Sequence, residues 1–213
     1  MVTTAQSAAR LTTKGQRTRT RIIDAAAEVI HERGVAGTTI EDVKAAAGVS
    51  SSQLYHYFTD KDDLVEAVID HQADAVVHTQ QRSDFATADG LRAWRDLIIT
   101  EAGRTDGQGG CPLGSLGGQL AEADPAARTR VAAGFARWSD AISAQLRALD
   151  ARGQLPRGTN PEDLAVTFLA ALQGGLLLAQ IHRDTRPLET TLDTLLALTA
   201  STPDVPAPRD PAG

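Results

Sequence analysis

Six large apolar side chains, Val131, Phe135, Trp138, Ile142, Leu146 and Leu149, recur at intervals of 4, 3, 4, 4 and 3. Only a helix of about 3.6 residues per turn gathers such a set on one face. A stripe of that length must be buried against other elements. The predicted helix runs from Pro125 to about Arg152, and the rest of the chain offers helices, not strands, to cover it. Aromatic residues make up only 4% of the 213, alanine and leucine abound, and β-branched runs are scarce. The expected fold class is all-α, with about nine helices.

Punctuation in the sequence marks the helix ends. From Arg17 a helical face forms with Ile22, Ala26, Val29 and Ile30, and Gly34 supplies a stop. Thr38 and Glu41 have capping-box spacing, and the short helix they open ends at Gly48. Ser50 and Gln53 repeat that spacing before a second short helix anchored by Leu54 and Phe58. Thr59 and Asp60 then open a helix over roughly 60–80, with Leu64, Val65, Val68, Ile69, Val76 and Val77 turned inward. Beyond a polar joint at 82–90, "LRAWRDLIITEAGR" and "CPLGSLGGQLAE" read as helices before the long one. Asn160 caps, and Pro161 begins, a helix apolar on nearly all sides; Pro187 begins the last one. The domain reading is an unstructured basic arm over 1–14, one domain over 15–60, a second over 61–202, and an unstructured tail over 203–213.

Two short helices joined by "AGVS" make a helix-turn-helix, whose second helix enters a DNA major groove with its N-terminal residues on base edges. The outward side chains suit that role. Gln53 can pair with adenine through both amide atoms, while Ser50, Ser51 and Ser52 can donate or accept. Tyr55, His56 and Tyr57 combine flat apolar bodies with polar tips, suited to thymine methyls and phosphate oxygens. Lys61 can reach phosphate from the start of the next helix. Arg17, Arg19 and Arg21 add cationic charge: residues 1–23 hold five basic side chains, with Arg10 and Lys14, and no acid. Residues 61–213 carry −7, which argues against an architectural protein that wraps DNA along its length.

The segment "TTIEDVKAAAGVSSSQLYHYFTDKDDLVEAVI" resembles the DNA-binding region of TetR-family transcriptional regulators, over roughly residues 17–70. The stretches "GCPLGSLGGQLAE", "ARGQLP" and "PEDLAVTFLAALQGGLLLAQIHRDTRPLE" are similar to the ligand-binding half of the LmrA/YxaF-like subgroup. The resemblance implies a homodimeric regulator, most often a repressor, released from a palindromic operator in double-stranded DNA by a small hydrophobic effector. It places the recognition helix on residues 50–57 and phosphate contacts on Thr39 and Lys61. Two departures stand out. Lys44 occupies a position usually held by alanine, so its stem must run outward. Ser52-Gln53 replaces a common Gly-Thr or Gly-Ser pair, so no relative's operator can be borrowed.

An effector site needs apolar walls and a few polar groups. The candidates are Trp94, Leu97, Cys111, Leu113, Leu116, Phe135, Trp138, Ile142, Phe168, Leu172, Gln173 and Leu176. Clustered glycines at 109, 110, 114, 117, 118, 174 and 175 allow close packing or a yielding wall. The all-round apolarity of 164–181 calls for cover from a second subunit, with Leu164, Leu169, Leu177, Ile181, Leu188, Leu192 and Leu195 as its expected contacts.

An enzyme is not expected. Cys111, His182 and Asp184 are the nearest approach to a nucleophilic set, but His182 and Asp184, two apart, point in different directions. No phosphate loop, dinucleotide fingerprint or metal-ligand spacing is present, so no cofactor or metal is expected. One cysteine, no signal-like N-terminus and no run near the 20 apolar residues of a bilayer span give a cytoplasmic expectation with no membrane partner.

Overall fold

The computed structural model describes residues 12–83 and 87–199, and among these every regular element is an α-helix. In chain order they are α1 (Thr13–Gly37), α2 (Ile40–Ala47), α3 (Ser51–Tyr57), α4 (Lys61–Arg82), α5 (Ala88–Gly103), α6 (Pro112–Leu120), α7 (Pro125–Asp150), α8 (Pro161–His182) and α9 (Arg186–Thr199). The all-α expectation holds. Arg10 and the tail over 203–213 lie outside the described residues. Thr13 and Lys14, expected in an unstructured arm, already belong to α1, capped by the Thr12 hydroxyl accepting from the Gly15 N–H at 3.2 Å.

The chain forms two compact units. The first takes residues up to Gln72 together with Ser115–Ala132. Its core is apolar: Ile22, Ile23, Ala26, Val29 and Ile30 of α1, Val43 and Ala47 of α2, Val49, Leu54 and Phe58 around α3, and Leu64, Val65, Val68 and Ile69 of α4 are buried. The unit therefore extends past the boundary expected at residue 60, because the first turns of α4 supply part of the core. α1 breaks at Gly34 (φ 74°, ψ 166°), and the freed Val35 N–H donates to Gln119 Oε1 of α6 at 2.7 Å. Arg130 of α7 pairs with Glu66 and Asp70 of α4, each at 2.7 Å.

The capping box of α2 sits one residue later than its spacing in the sequence indicated. Thr38, 3% exposed, donates its hydroxyl to the Gly34 carbonyl at 2.8 Å and is spent closing α1. Thr39 is the N-cap instead, accepting from the Asp42 N–H at 3.2 Å and donating its own N–H to the Asp42 carboxylate at 2.9 Å. That carboxyl lies below the usual carboxylate range, chiefly through the Thr39 hydroxyl bond and then the Thr39 N–H.

The second unit comprises Ala73–Gly114 and the residues from Ala133 on. Trp94, Trp138, Ile142, Leu146, Leu149, Phe168, Leu172, Leu188 and Leu192 are buried in it. α8 and α9 approach closely because Gly175 lacks a side chain: a Cβ there would lie 2.8 Å from Leu188 Cδ1 and 3.0 Å from its Cα. α5 and α9 are joined at the surface by Arg95, which grips both carboxylate oxygens of Asp193 at 2.7 and 2.8 Å. The Asn160 side chain caps α8 by accepting from Glu162 and Asp163 N–H groups, with Pro161 in the first turn. Contrary to expectation, α8 is long and apolar enough to cross a membrane by length and composition, with a mean hydropathy of 1.8 over its most apolar window. In this chain 28% of that window is buried, including Ala165, Phe168, Leu172 and Ala179.

Candidate nucleic-acid interface and ligand cavity

The turn between α2 and α3 rests on Gly48, which adopts a left-handed conformation (φ 61°, ψ 43°). A Cβ there would meet nothing within 4 Å, so the requirement is conformational, not steric. Ser50 then caps α3: its hydroxyl accepts from the Gln53 N–H at 3.2 Å, and its N–H donates to Gln53 Oε1 at 3.0 Å. Leu54 and Phe58, buried at 0% and 1%, anchor one side of α3. Ser50, Ser51, Ser52, Gln53, Tyr55 and His56 are left exposed and Tyr57 half-buried, with the His56 and Tyr57 rings edge to face at 4.8 Å.

This arrangement changes the chemistry assigned to several side chains. Gln53 spends its carbonyl on the capping box and has its NH2 group left for a base edge, so pairing through both amide atoms would require giving up the cap. Ser52 and Ser50 share a hydroxyl hydrogen bond at 3.0 Å. Lys61 donates its ammonium to the Val35 carbonyl at 2.6 Å, closing the end of α1. The Arg19 guanidinium lies 5.2 Å from the centroid of the Phe58 ring. Arg17, Arg21 and Thr39 are exposed. Lys44 is half-buried, its side chain 15% exposed, with its ammonium on the exposed Glu41 carboxylate at 2.6 and 2.8 Å.

A cavity of about 210 Å³ opens in the second unit, lined by Ala75, Val76, Thr79, Gln80, Trp94, Ile98, Gly110, Cys111, Pro112, Trp138, Leu172 and Leu176. Five of the expected effector residues, Trp94, Cys111, Trp138, Leu172 and Leu176, stand in its wall. Val76 was expected on the inner face of α4 but not in a cavity wall; Ala75, Thr79, Gln80 and Ile98 lie outside the expected effector set. Gln80, 2% exposed, accepts from the Trp138 indole N–H at 3.4 Å and donates to Gln145 Oε1 at 2.7 Å. Leu113, Ile142 and Phe168 are buried packing residues, Phe168 edge to face with Trp94 at 6.0 Å. Phe135 stacks on Trp138 at 6.2 Å. Leu116 belongs to the first unit's part of α6. Leu97 is a correction: 43% exposed, it faces away from the cavity, and its neighbour Ile98 takes the wall position. A hollow of about 350 Å³ elsewhere in the unit has Arg92 and Gln154 in its wall and none of the expected effector residues.

Comparison with known proteins bears on both halves of the chain. Residues 22–68 match the model described as bacterial regulatory proteins, tetR family, and residues 87–195 match the tetracyclin repressor-like C-terminal domain. The chain belongs to the TetR family. An HTH-type transcriptional regulator of Mycobacterium tuberculosis is 30% identical, covering 80% of this chain and 88% of its own. The HTH-type transcriptional repressor DhaR of Mycobacterium sp. strain GP1 is 25% identical over 88% of this chain and 95% of its own. Among solved structures, the reduced form of Escherichia coli NemR superposes with a TM-score of 0.80 at 20% identity, covering 87% of this chain and all of that one, a likeness of fold alone. TetR-family members are transcriptional regulators that bind DNA, typically as dimers, and they are not enzymes.

Seen as a TetR-family chain, the apolar surface of α8 needs a correction. Leu169, Leu188, Leu192 and Leu195 are buried within the chain and offer nothing to a partner, and Leu164 is half-buried. The cause is that α9 packs its leucines onto α8. What remains outside is a different stripe: Val166, Ala170, Gly174, Leu177 and Ile181, with Leu178 beside it and Leu198 on α9. Val166, Leu177 and Ile181 are 60%, 55% and 64% exposed. Of the expected partner contacts, Leu177 and Ile181 keep an outward face.

Proposed function

We propose that this TetR-family regulator is a ligand-responsive repressor that binds a palindromic operator as a homodimer in the cytoplasm and is released by a small hydrophobic effector. The observation that carries this reading is the pairing of an exposed polar α3 in one unit with an uncharged apolar cavity in the other. DhaR, named a repressor, covers most of the same length. The match of residues 87–195 to a tetracyclin repressor-like C-terminal domain supports a small-molecule effector, and we assign this half to the LmrA/YxaF-like subgroup as part of the same proposal. The exposed stripe of α8, together with exposed Leu198 on α9, supports a twofold assembly in which like surfaces meet.

In this scheme the dimer sets two α3 helices in successive major grooves, about 34–36 Å apart. Effector in the cavity favours an arrangement in which α4, whose first part belongs to one unit and last part to the other, spreads the two α3 helices beyond that spacing. A coupling of about 1–3 kcal/mol changes operator affinity roughly 5- to 150-fold. The test is selection of bound sequences from random DNA, followed by challenge of the complex with a panel of flat hydrophobic compounds. Enrichment of an inverted repeat, released by at least one compound, is expected. Enrichment of no sequence, or a single half-site alone, would refute the operator reading.

A further inference from the structure

The cavity of the second unit is graded from a closed apolar side to an open one. Trp94, Cys111, Trp138 and Leu172 of its wall are buried, whereas Ala75 and Thr79 are exposed, so it opens along α4. The two indoles are braced from outside the wall. Phe168 meets the Trp94 ring edge to face at 6.0 Å, and Phe135 lies parallel to the Trp138 ring within 9°; neither phenylalanine lines the cavity. The Trp138 N–H is spent on Gln80 Oε1 at 3.4 Å, and Gln80 donates to Gln145 at 2.7 Å. Cys111 Sγ accepts from the Gly114 N–H at 3.4 Å. Gln173, expected among the effector contacts, lies outside the wall, its carbonyl oxygen packed over Gly114. Of the polar side chains in the lining, Gln80 and Cys111 are thus engaged within the protein, and Thr79 stands at the opening.

Resting on the effector reading above, we propose that the effector is an uncharged compound of one aromatic ring with a short neutral polar group. Its ring lies against Trp94 and Trp138, which set the specificity for a flat body, and its polar group turns toward Thr79 at the opening. The lining has no Lys, Arg, His, Asp or Glu, so an ionised ligand would be stripped of water with no counter-charge. An aromatic ring gains offset or edge contact with an indole beyond the area it buries, and a saturated ring of the same size does not. Because both indoles are already fixed by their neighbours, little ordering has to be done when the ligand enters. The volume is about 210 Å³, and a dry apolar cavity of about 150 Å³ accepts benzene, so the space suits one ring with a short substituent.

Both tryptophans of the chain stand in the cavity wall, so their fluorescence reports occupancy of the full-length protein directly. The probes are benzyl alcohol, the anion benzoate, the cation benzylammonium, and cyclohexylmethanol, whose ring is not flat. Benzyl alcohol is expected to saturate, binding about tenfold or more tightly than either ion. It should also bind about two- to tenfold more tightly than cyclohexylmethanol. Thr79→Lys, at an exposed position, supplies a counter-charge at the opening. It should strengthen benzoate binding severalfold and leave benzylammonium as weak as before; Thr79→Arg, checked by circular dichroism, provides a second variant should the first fail to fold. An ion that binds as tightly as the alcohol, or benzoate binding unmoved in the Thr79 variant, would overturn the uncharged assignment. Equal affinities for the two alcohols would overturn the role given to the indoles. Each of these results leaves the cavity as a ligand site. No saturable response to any of the four would overturn the cavity reading itself, and this assignment with it.

Discussion

Gln53 shows how one side chain can be committed twice. Its carbonyl holds the start of α3 while its NH2 group remains outward. Gln53→Glu keeps an acceptor for the Ser50 N–H and puts negative charge at a helix N-terminus, where it is favourable. It also removes the donor and sets a carboxylate toward phosphate. The expected outcome is an unchanged or slightly raised urea midpoint with operator affinity reduced tenfold or more, the discrimination of a base contact of about 1–3 kcal/mol. Parental affinity in a gel-shift titration would remove Gln53 from the interface. Asp42 makes a pH prediction at the same scale. Its carboxyl is lowered in the folded chain, first by the Thr39 hydroxyl and then by the Thr39 N–H. Its contribution to stability is thus complete above the ordinary carboxylate range and is lost as pH falls through the lowered folded value. Asp42→Asn should show a shallower loss of urea stability over that acid interval than the parent chain. The Thr38 and Thr39 pair also marks a limit of legibility: both are cap formers by type, and only the burial of Thr38 against Gly34 decides between them.

At the scale of elements, the helix-turn-helix was readable because its signals are local. Gly48, Ser50, Gln53, Leu54 and Phe58 specify a turn, a cap and an inner face within a dozen residues of sequence. Gly48→Ala tests that reading directly. With no atom near the added methyl, the cost is that of the left-handed backbone, about 1–2 kcal/mol, read as a lowered urea midpoint with an unchanged m-value. A neutral result would mean that the turn relaxes into another conformation. The cavity was only half readable. Trp138 follows the stripe of α7 and Val76 the inner face of α4, whereas Ala75 and Thr79 acquire their role from whatever packs beside α4. The Val35–Gln119 hydrogen bond spans 84 positions and has no signature in sequence at all.

At the scale of the whole molecule, the decisive ambiguity was α8. A helix apolar all round must be covered on every side, but its sequence does not say by what. The three-dimensional packing divides the cover: α9 takes one side through Leu188, Leu192 and Leu195, and the stripe containing Val166, Leu177 and Ile181 is left over. Ile181→Glu combined with Leu177→Glu places carboxylates where, in a twofold interface, each would face apolar surface or its own copy. Sedimentation equilibrium should then show monomer at concentrations where the parent chain is dimeric. Operator affinity should fall by about 10²–10⁴-fold, because two half-sites are no longer engaged by one linked particle. Leu188→Ala separates this from simple unfolding. That side chain is closed inside the chain, so its removal should lower stability by about 2–5 kcal/mol yet leave a folded dimer at low temperature. If the double glutamate variant stays dimeric and keeps its operator affinity while Leu188→Ala dissociates the particle, the partner surface lies on the α9 side of the leucine seam, and the proposed interface is wrong.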